Sequence, residues 1–79
     1  MVNEPSVSPA QVRAARAWLR WSQDDLSARS GVSQRSIARY ELERCVPYAA
    51  TLTGIRNAFE AAGVRFQFQG MISKGITVL

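Results

Sequence analysis

Histidine is absent from the 79 residues and cysteine occurs once, at Cys45. The first absence removes the commonest general base and metal ligand, and with them every serine–histidine or cysteine–histidine nucleophile. The second excludes an intramolecular disulfide and a cysteine-built zinc site, and fits a reducing compartment. No resolving partner exists for Cys45, which is expected to be a small, semi-buried structural thiol. Phosphate-cradling glycine loops and paired-carboxylate sites are also missing, so the sequence reads as a non-enzyme with no cofactor and no metal. No apolar run approaches the roughly 20 residues of a membrane-spanning helix. The start Met1-Val2-Asn3-Glu4-Pro5 lacks the basic-then-apolar order of a secretory signal. A cytoplasmic protein without a membrane partner is expected.

Lysine is scarce as well: nine of the ten cations are arginines. Ten cations against six acids leave a formal charge of +4, which suggests an anionic partner. Arginine favours that reading, because its planar fork of donors matches phosphate and guanine edges. Hydrophobic residues at 47% and charged residues at 20% give a globular balance, and the length suits one small core.

The helix punctuation is consistent from Ser8 onward. Ser8-Pro9-Ala10-Gln11 puts a hydroxyl at an N-cap, proline at the first helical position and an amide three residues on, the arrangement of a capping box. Val7 and Val12 flank it as a hydrophobic staple, and Val12, Ala15, Arg16 and Leu19 recur at helical spacing, predicting a helix from about Pro9 to Arg20. Ser22-Gln23-Asp24-Asp25 is a second box, stapled by Trp21 and Leu26. Ser33 opens a third helix, with Val32 and Ile37 as staple. Between the second and third lies Ser30-Gly31-Val32, where glycine supplies a left-handed turn. Pro47 is expected to open a fourth helix with Leu52, Ile55, Phe59 and Ala62 on one face and Gly63 at its end. The period then switches: Val64-Arg65-Phe66-Gln67-Phe68-Gln69 alternates like a half-buried strand. Gly70 to Gly75 reads as a loop, and Ile76 to Leu79 as a short second strand. Trp18 and Trp21 are both expected to pack rather than to stack on bases.

Two short helices joined by a tight glycine turn form the helix-turn-helix pattern. The stretch QDDLSARSGVSQRSIARYE, Gln23 to Glu41, resembles the helix-turn-helix family of phage repressors and Cro, the xenobiotic-response-element type. The matching residues are Gln23, Leu26, Gly31-Val32-Ser33, Gln34, Ile37 and Glu41. Arg16 and Thr51-Leu52 match more loosely, and the tail from Val64 resembles the strand appended to many small bacterial regulators of this kind. The resemblance implies a mainly α fold, four or five helices in a repressor-like domain with a C-terminal β-hairpin or dimerisation strand. It also implies an internal salt bridge between Arg16 and Glu41. One departure stands out: the family often ends its third helix with glycine where this chain has Glu43.

The expected organisation is a flexible arm over residues 1–7, a DNA-binding domain over 8–63 and a dimerising strand or hairpin over 64–79. Helix 3 suits a major groove, which admits one α-helix. Gln34 is expected to pair with adenine and Arg35 with guanine, with Arg39 one turn on. Ser33, Ser36 and Arg44 join them on the DNA side. Gln23 is placed over the phosphate backbone. Arg13, Arg20 and Arg29 are further candidates for phosphate contact. Val64, Phe66, Phe68, Ile76 and Val78 are the expected dimerisation residues, and removal of the tail is expected to leave the helices folded but monomeric. The function expected is a dimeric, sequence-specific double-stranded-DNA regulator, acting as a repressor on a pseudo-palindromic operator. The alternatives are an antitoxin-type protein that also binds a partner toxin, and an interaction module that has lost DNA binding.

Overall fold

The computed structural model describes residues 6–69 and 72–78. The first five residues of the expected arm, the tip of the loop at 70–71 and Leu79 of the second strand lie outside the described residues. Four helices are followed by two strands: α1 Pro9–Leu19, α2 Gln23–Ser30, α3 Gln34–Glu41, α4 Ala49–Ala61, β1 Val64–Gln69 and β2 Ile72–Val78.

The helix starts follow from local hydrogen bonding. Ser8 Oγ accepts from the Gln11 backbone N–H at 3.2 Å, while the Ser8 N–H donates to Gln11 Oε1 at 2.9 Å. Ser22 and Asp25 repeat this reciprocal pair at 2.9 Å in both directions. The Ser22 N–H holds the Asp25 carboxyl below its ordinary range, since the bond favours the charged form. Ser33 caps α3 by accepting from the Ser36 N–H. α4 starts later than the sequence suggests. Tyr48 is its N-cap and makes no side-chain bond, so Pro47 lies outside the helix.

The ends differ more. α1 stops at Leu19, and Arg20 takes a left-handed conformation with φ 58°. The Trp21 N–H then reaches back to the Arg16 carbonyl at 2.9 Å. α3 ends in the same way. Glu43 adopts φ 59°, its N–H donates to the Tyr40 carbonyl, and the Arg44 N–H donates to that of Arg39. This is the paired backbone closure that usually recruits glycine, so Glu43 keeps the geometry that the missing family glycine would supply. Between α2 and α3, Gly31 provides the turn at φ 75°.

The core is one cluster. Val7, Val12, Ala15, Leu26, Ile37, Tyr40, Ile55, Ala58, Phe59, Val64 and Phe66 are all buried in it. Full burial of each large aliphatic among them contributes about 1.5–3 kcal/mol. Phe59 is its aromatic centre, stacked on Trp21 at 5.3 Å between ring centroids and meeting Phe66 edge-on at 5.8 Å. Gly54 lets α4 close on the end of α2, where an added Cβ would stand 3.3 Å from the Ser30 carbonyl oxygen.

Several expectations are corrected by this packing. Val7 is not part of a flexible arm: it is buried, and its carbonyl accepts from Tyr40 Oη at 2.9 Å. Trp18 is not packed but 64% exposed, because the buried face of α1 runs through Gln11, Val12 and Ala15 instead. Residues 72–75 are strand rather than loop, since β2 pairs antiparallel with β1 from Gln69↔Ile72 to Val64↔Val78. The register shifts between Gln67 and Phe68, leaving residue 74 as the extra one on β2. Val64 and Phe66 complete the core beneath Phe59, so the tail is not an appendage, and its removal would open the core rather than release intact helices.

Candidate nucleic-acid interface

α3 is divided cleanly between two environments. Ile37, Tyr40 and Glu41 are buried at helical spacing, while Gln34, Arg35, Ser36 and Arg39 are exposed on the remaining surface. The split follows in part from sequence, because the apolar Ile37 and Tyr40 recur three apart on the inner side. The side chains of Arg35, Arg39 and Arg44 make no hydrogen bond or ion pair with any described residue, which leaves three guanidinium forks free toward solvent. Ser33 donates its hydroxyl to Ser36 Oγ at 2.9 Å, so these two side chains sit together at the first turn.

Behind this surface stands a continuous polar chain. Arg16 grips Glu41 with two bonds, Nε to Oε2 and Nη2 to Oε1, both 2.7 Å, and its Nη1 donates to the Trp21 carbonyl at 2.9 Å. The Glu41 side chain is 4% exposed and that of Arg16 21%. The bond to Glu41 outweighs the opposing effect of burial and raises the Arg16 pKa above its ordinary value. Arg13 Nη1 also donates to the Glu41 backbone carbonyl. Gln23 Nε2 donates to Glu41 Oε1 at 3.3 Å, and Gln34 Nε2 donates to Gln23 Oε1 at 2.6 Å. The chain therefore runs from helix 1 through the end of α3 and the start of α2 to the first residue of α3.

Gln23 is the residue whose surroundings sequence reasoning missed. Its amide is engaged by two neighbours, and the adjoining turn carries Asp24 and Asp25, which already answer the positive end of α2. No local pattern announces this, because the partners lie 18 and 11 residues away. Arg29 lies over the Trp21 ring, its guanidinium carbon 4.5 Å from the ring centroid. Arg20 is exposed at the end of α1. Cys45 is a free, half-buried thiol. Among the expected dimerisation residues, Val64 and Phe66 are buried within this chain's own core. Phe68 lies under Arg56 at 5.4 Å, Ile76 is half-buried, and Val78 is 36% exposed.

The family model for the helix-turn-helix matches residues 12–47. Those residues are a helix-turn-helix of the Cro and phage-repressor family. The match runs from inside α1 to the connection after α3, and so contains every member of the polar chain and all the exposed residues of α3. No curated protein matches the chain. The match supports a DNA-binding regulator in general, in a family that is generally not enzymatic. Among the described residues no helix is long and apolar enough to cross a membrane.

Proposed function

We propose that the chain is a sequence-specific transcriptional repressor that occupies an operator in double-stranded DNA, in the cytoplasm. The observation that carries this reading is the exposed row of Gln34, Arg35 and Arg39 on the outer side of a helix whose other side is locked into the core. Arg35 has the fork to pair with guanine, and Gln34 the amide to pair with adenine. Ser33, Ser36 and Arg44 flank them for phosphate or base contact, and Gln23 lies where the backbone would pass.

Dimerisation belongs to the same proposal. Among the described residues the sheet has two strands, so each has one edge without a strand partner there. Pairing of such an edge with its copy about a two-fold axis satisfies the open backbone groups and sets two recognition helices on one duplex. A spacing near one turn of DNA, about 34 Å, would make the operator a pseudo-palindrome. The side chains of Val64 and Phe66 stay inside each subunit, and the edge backbone with Phe68, Ile76 and Val78 forms the contact. In this organisation residues 8–63 read DNA and 64–79 pair the subunits.

A second reading is favoured by Leu42, Val46 and Tyr48, apolar side chains exposed around the α3–α4 connection at 67%, 97% and 86%. Such residues suit a protein partner, as in an antitoxin that holds a toxin as well as its operator. A stoichiometric second polypeptide copurifying from the native host would favour that reading.

The experiment is selection of a binding site from random duplexes, followed by anisotropy titration of the full chain at several salt concentrations. Binding should weaken steeply with salt, as counterions are released. Arg35→Ala should lose about 1–3 kcal/mol and its preference at one base pair. Sedimentation should show a dimer at concentrations of tens of micromolar. Absence of any salt-dependent DNA binding would leave only the interaction-module reading.

A further inference from the structure

We infer that the outer side of α1 around Trp18, together with the free edge of β2, is the surface on which a second copy of this chain docks. This deepens the dimerisation proposed above and rests on it: it assigns which of the two sheet edges pairs and which helix lies beside the joint.

The two edges differ in charge. α4 packs against β1, and α1 against β2. On the β1 side, Arg56 lies over Phe68 and pairs with Glu60 at 3.2 Å. The Arg65 guanidinium donates to the Glu60 and Val64 carbonyl oxygens at 3.0 and 3.1 Å. A two-fold axis along that edge would set Arg65 near its own copy, and like charges facing each other across a ladder are destabilising. Charged residues at an edge are also how sheets discourage pairing. β2 has no ionisable residue from Gly75 to Val78, and its one charge, Lys74, is carried by the extra residue at the register shift.

The neighbouring side of α1 is uncharged as well. Gln11 is the α1 residue that bonds to β2, at the Gly75 carbonyl, while Arg13 and Arg16 reach Glu41 of α3 on the other flank. Trp18 follows Gln11 by about two helical turns and so lies on the same side of α1. Ala10, Ala14 and Trp18 form an exposed row at a spacing of one turn, and Trp18 is 64% exposed. Tryptophan is the side chain most enriched where interfaces hold their binding energy.

The occupant follows from symmetry. A large side chain beside small ones on one row is complementary to itself, because a two-fold axis can lay Trp18 of each subunit over Ala14 of the other and so make the contact twice. β2 and its copy run antiparallel across the same axis and satisfy each other's open backbone groups. A foreign partner would have to match the row and the edge separately, whereas a second copy matches both at once.

The test is sedimentation of the full chain over a range of micromolar concentrations. Trp18→Ser removes the anchor from an exposed position, so its unfolding curve should follow the wild type. Thr77→Glu and Gln67→Glu form a matched pair. Their side chains bond to each other across the hairpin, so either change loses the same contact, but the first charges the β2 edge and the second the β1 edge. Trp18→Ser and Thr77→Glu should each weaken the dimer about tenfold or more, the scale of an interface hot spot. Gln67→Glu should leave it unchanged. A Trp18→Ser dimer as tight as the wild type, or a dimer lost in Gln67→Glu and kept in Thr77→Glu, would overturn the assignment while leaving dimerisation in place. A wild-type chain that stays monomeric would overturn both this surface and the dimer proposed above. Should the chain select no duplex, DNA reading would fall, and the sedimentation series would still decide the surface.

Discussion

The side-chain amide of Gln11 donates to the carbonyl oxygen of Gly75 at 2.8 Å, across a gap of 64 residues in the chain. Its second hydrogen goes to the Gln67 carbonyl at 2.9 Å, and its oxygen closes the capping box with Ser8. Gln67 and Gly75 are cross-strand partners at the point where the ladder shifts register. One buried side chain thus starts α1 and docks the hairpin where its pairing is disturbed.

Replacing Gln11 by leucine is expected to strand both part-buried carbonyls and cost about 1 kcal/mol or more, in the range of lost hydrogen bonds. Hydrogen exchange should show the hairpin amides losing protection before those of α2 and α3. Equal loss of protection throughout the chain would mean that Gln11 stabilises the domain as a whole and not the hairpin.

The Arg16–Glu41 pair predicts an asymmetry between single and double variants. Arg16→Met leaves a carboxylate that is 4% exposed without its guanidinium, and should cost about 3 kcal/mol or more in denaturant unfolding. The double variant Arg16→Met with Glu41→Leu should recover most of that loss, because a packed apolar pair carries no stranded charge. A double variant as unstable as the single would show that the charges themselves, and not their pairing, hold the helices.

Glu43→Gly should stabilise the protein. A left-handed conformation costs an ordinary L-residue about 1–2 kcal/mol, part of which glycine returns to the greater freedom of its unfolded chain. A gain of about 1 kcal/mol is expected, raising the melting temperature by about 4–8 °C for a domain of this size. DNA affinity should rise slightly as well, since the variant removes a carboxylate beside α3. Destabilisation would mean that the Glu43 side chain supports the helix exit.

Tyr40 gives the alkaline limit of stability. Burial pushes its hydroxyl up to about 12, from an ordinary value near 10. Its contribution is therefore complete below about pH 10 and is lost as pH rises from about 10 to 12, because the unfolded chain ionises first. Tyr40→Phe should remove this part of the alkaline slope and cost about 1 kcal/mol at neutral pH by deleting the bond to the Val7 carbonyl. Unfolding curves from pH 8 to 12 would check both effects.

The sequence by itself determined the starts of α1, α2 and α3. The Ser8, Ser22 and Ser33 caps each satisfy a backbone N–H three residues on, so every partner sits within one turn of chain and can be read without knowing the fold. The inner face of α3 was legible in part for a similar reason, since Ile37 and Tyr40 recur at helical spacing, whereas the inward place of Glu41 was implied only by the family resemblance. Helix ends were not. Arg20 and Glu43 occupy left-handed positions without glycine, and neither residue type signals that conformation. Only tertiary structure decided that Trp18 faces solvent while Trp21 stacks on Phe59, for both fit a helix-boundary pattern until α4 covers one of them. The same holds for the polar chain from Glu41 through Gln23 to Gln34. It depends on a carboxylate held by a guanidinium from another helix, and hydrogen bonds between distant residues leave no period, spacing or cap in the sequence that could announce them.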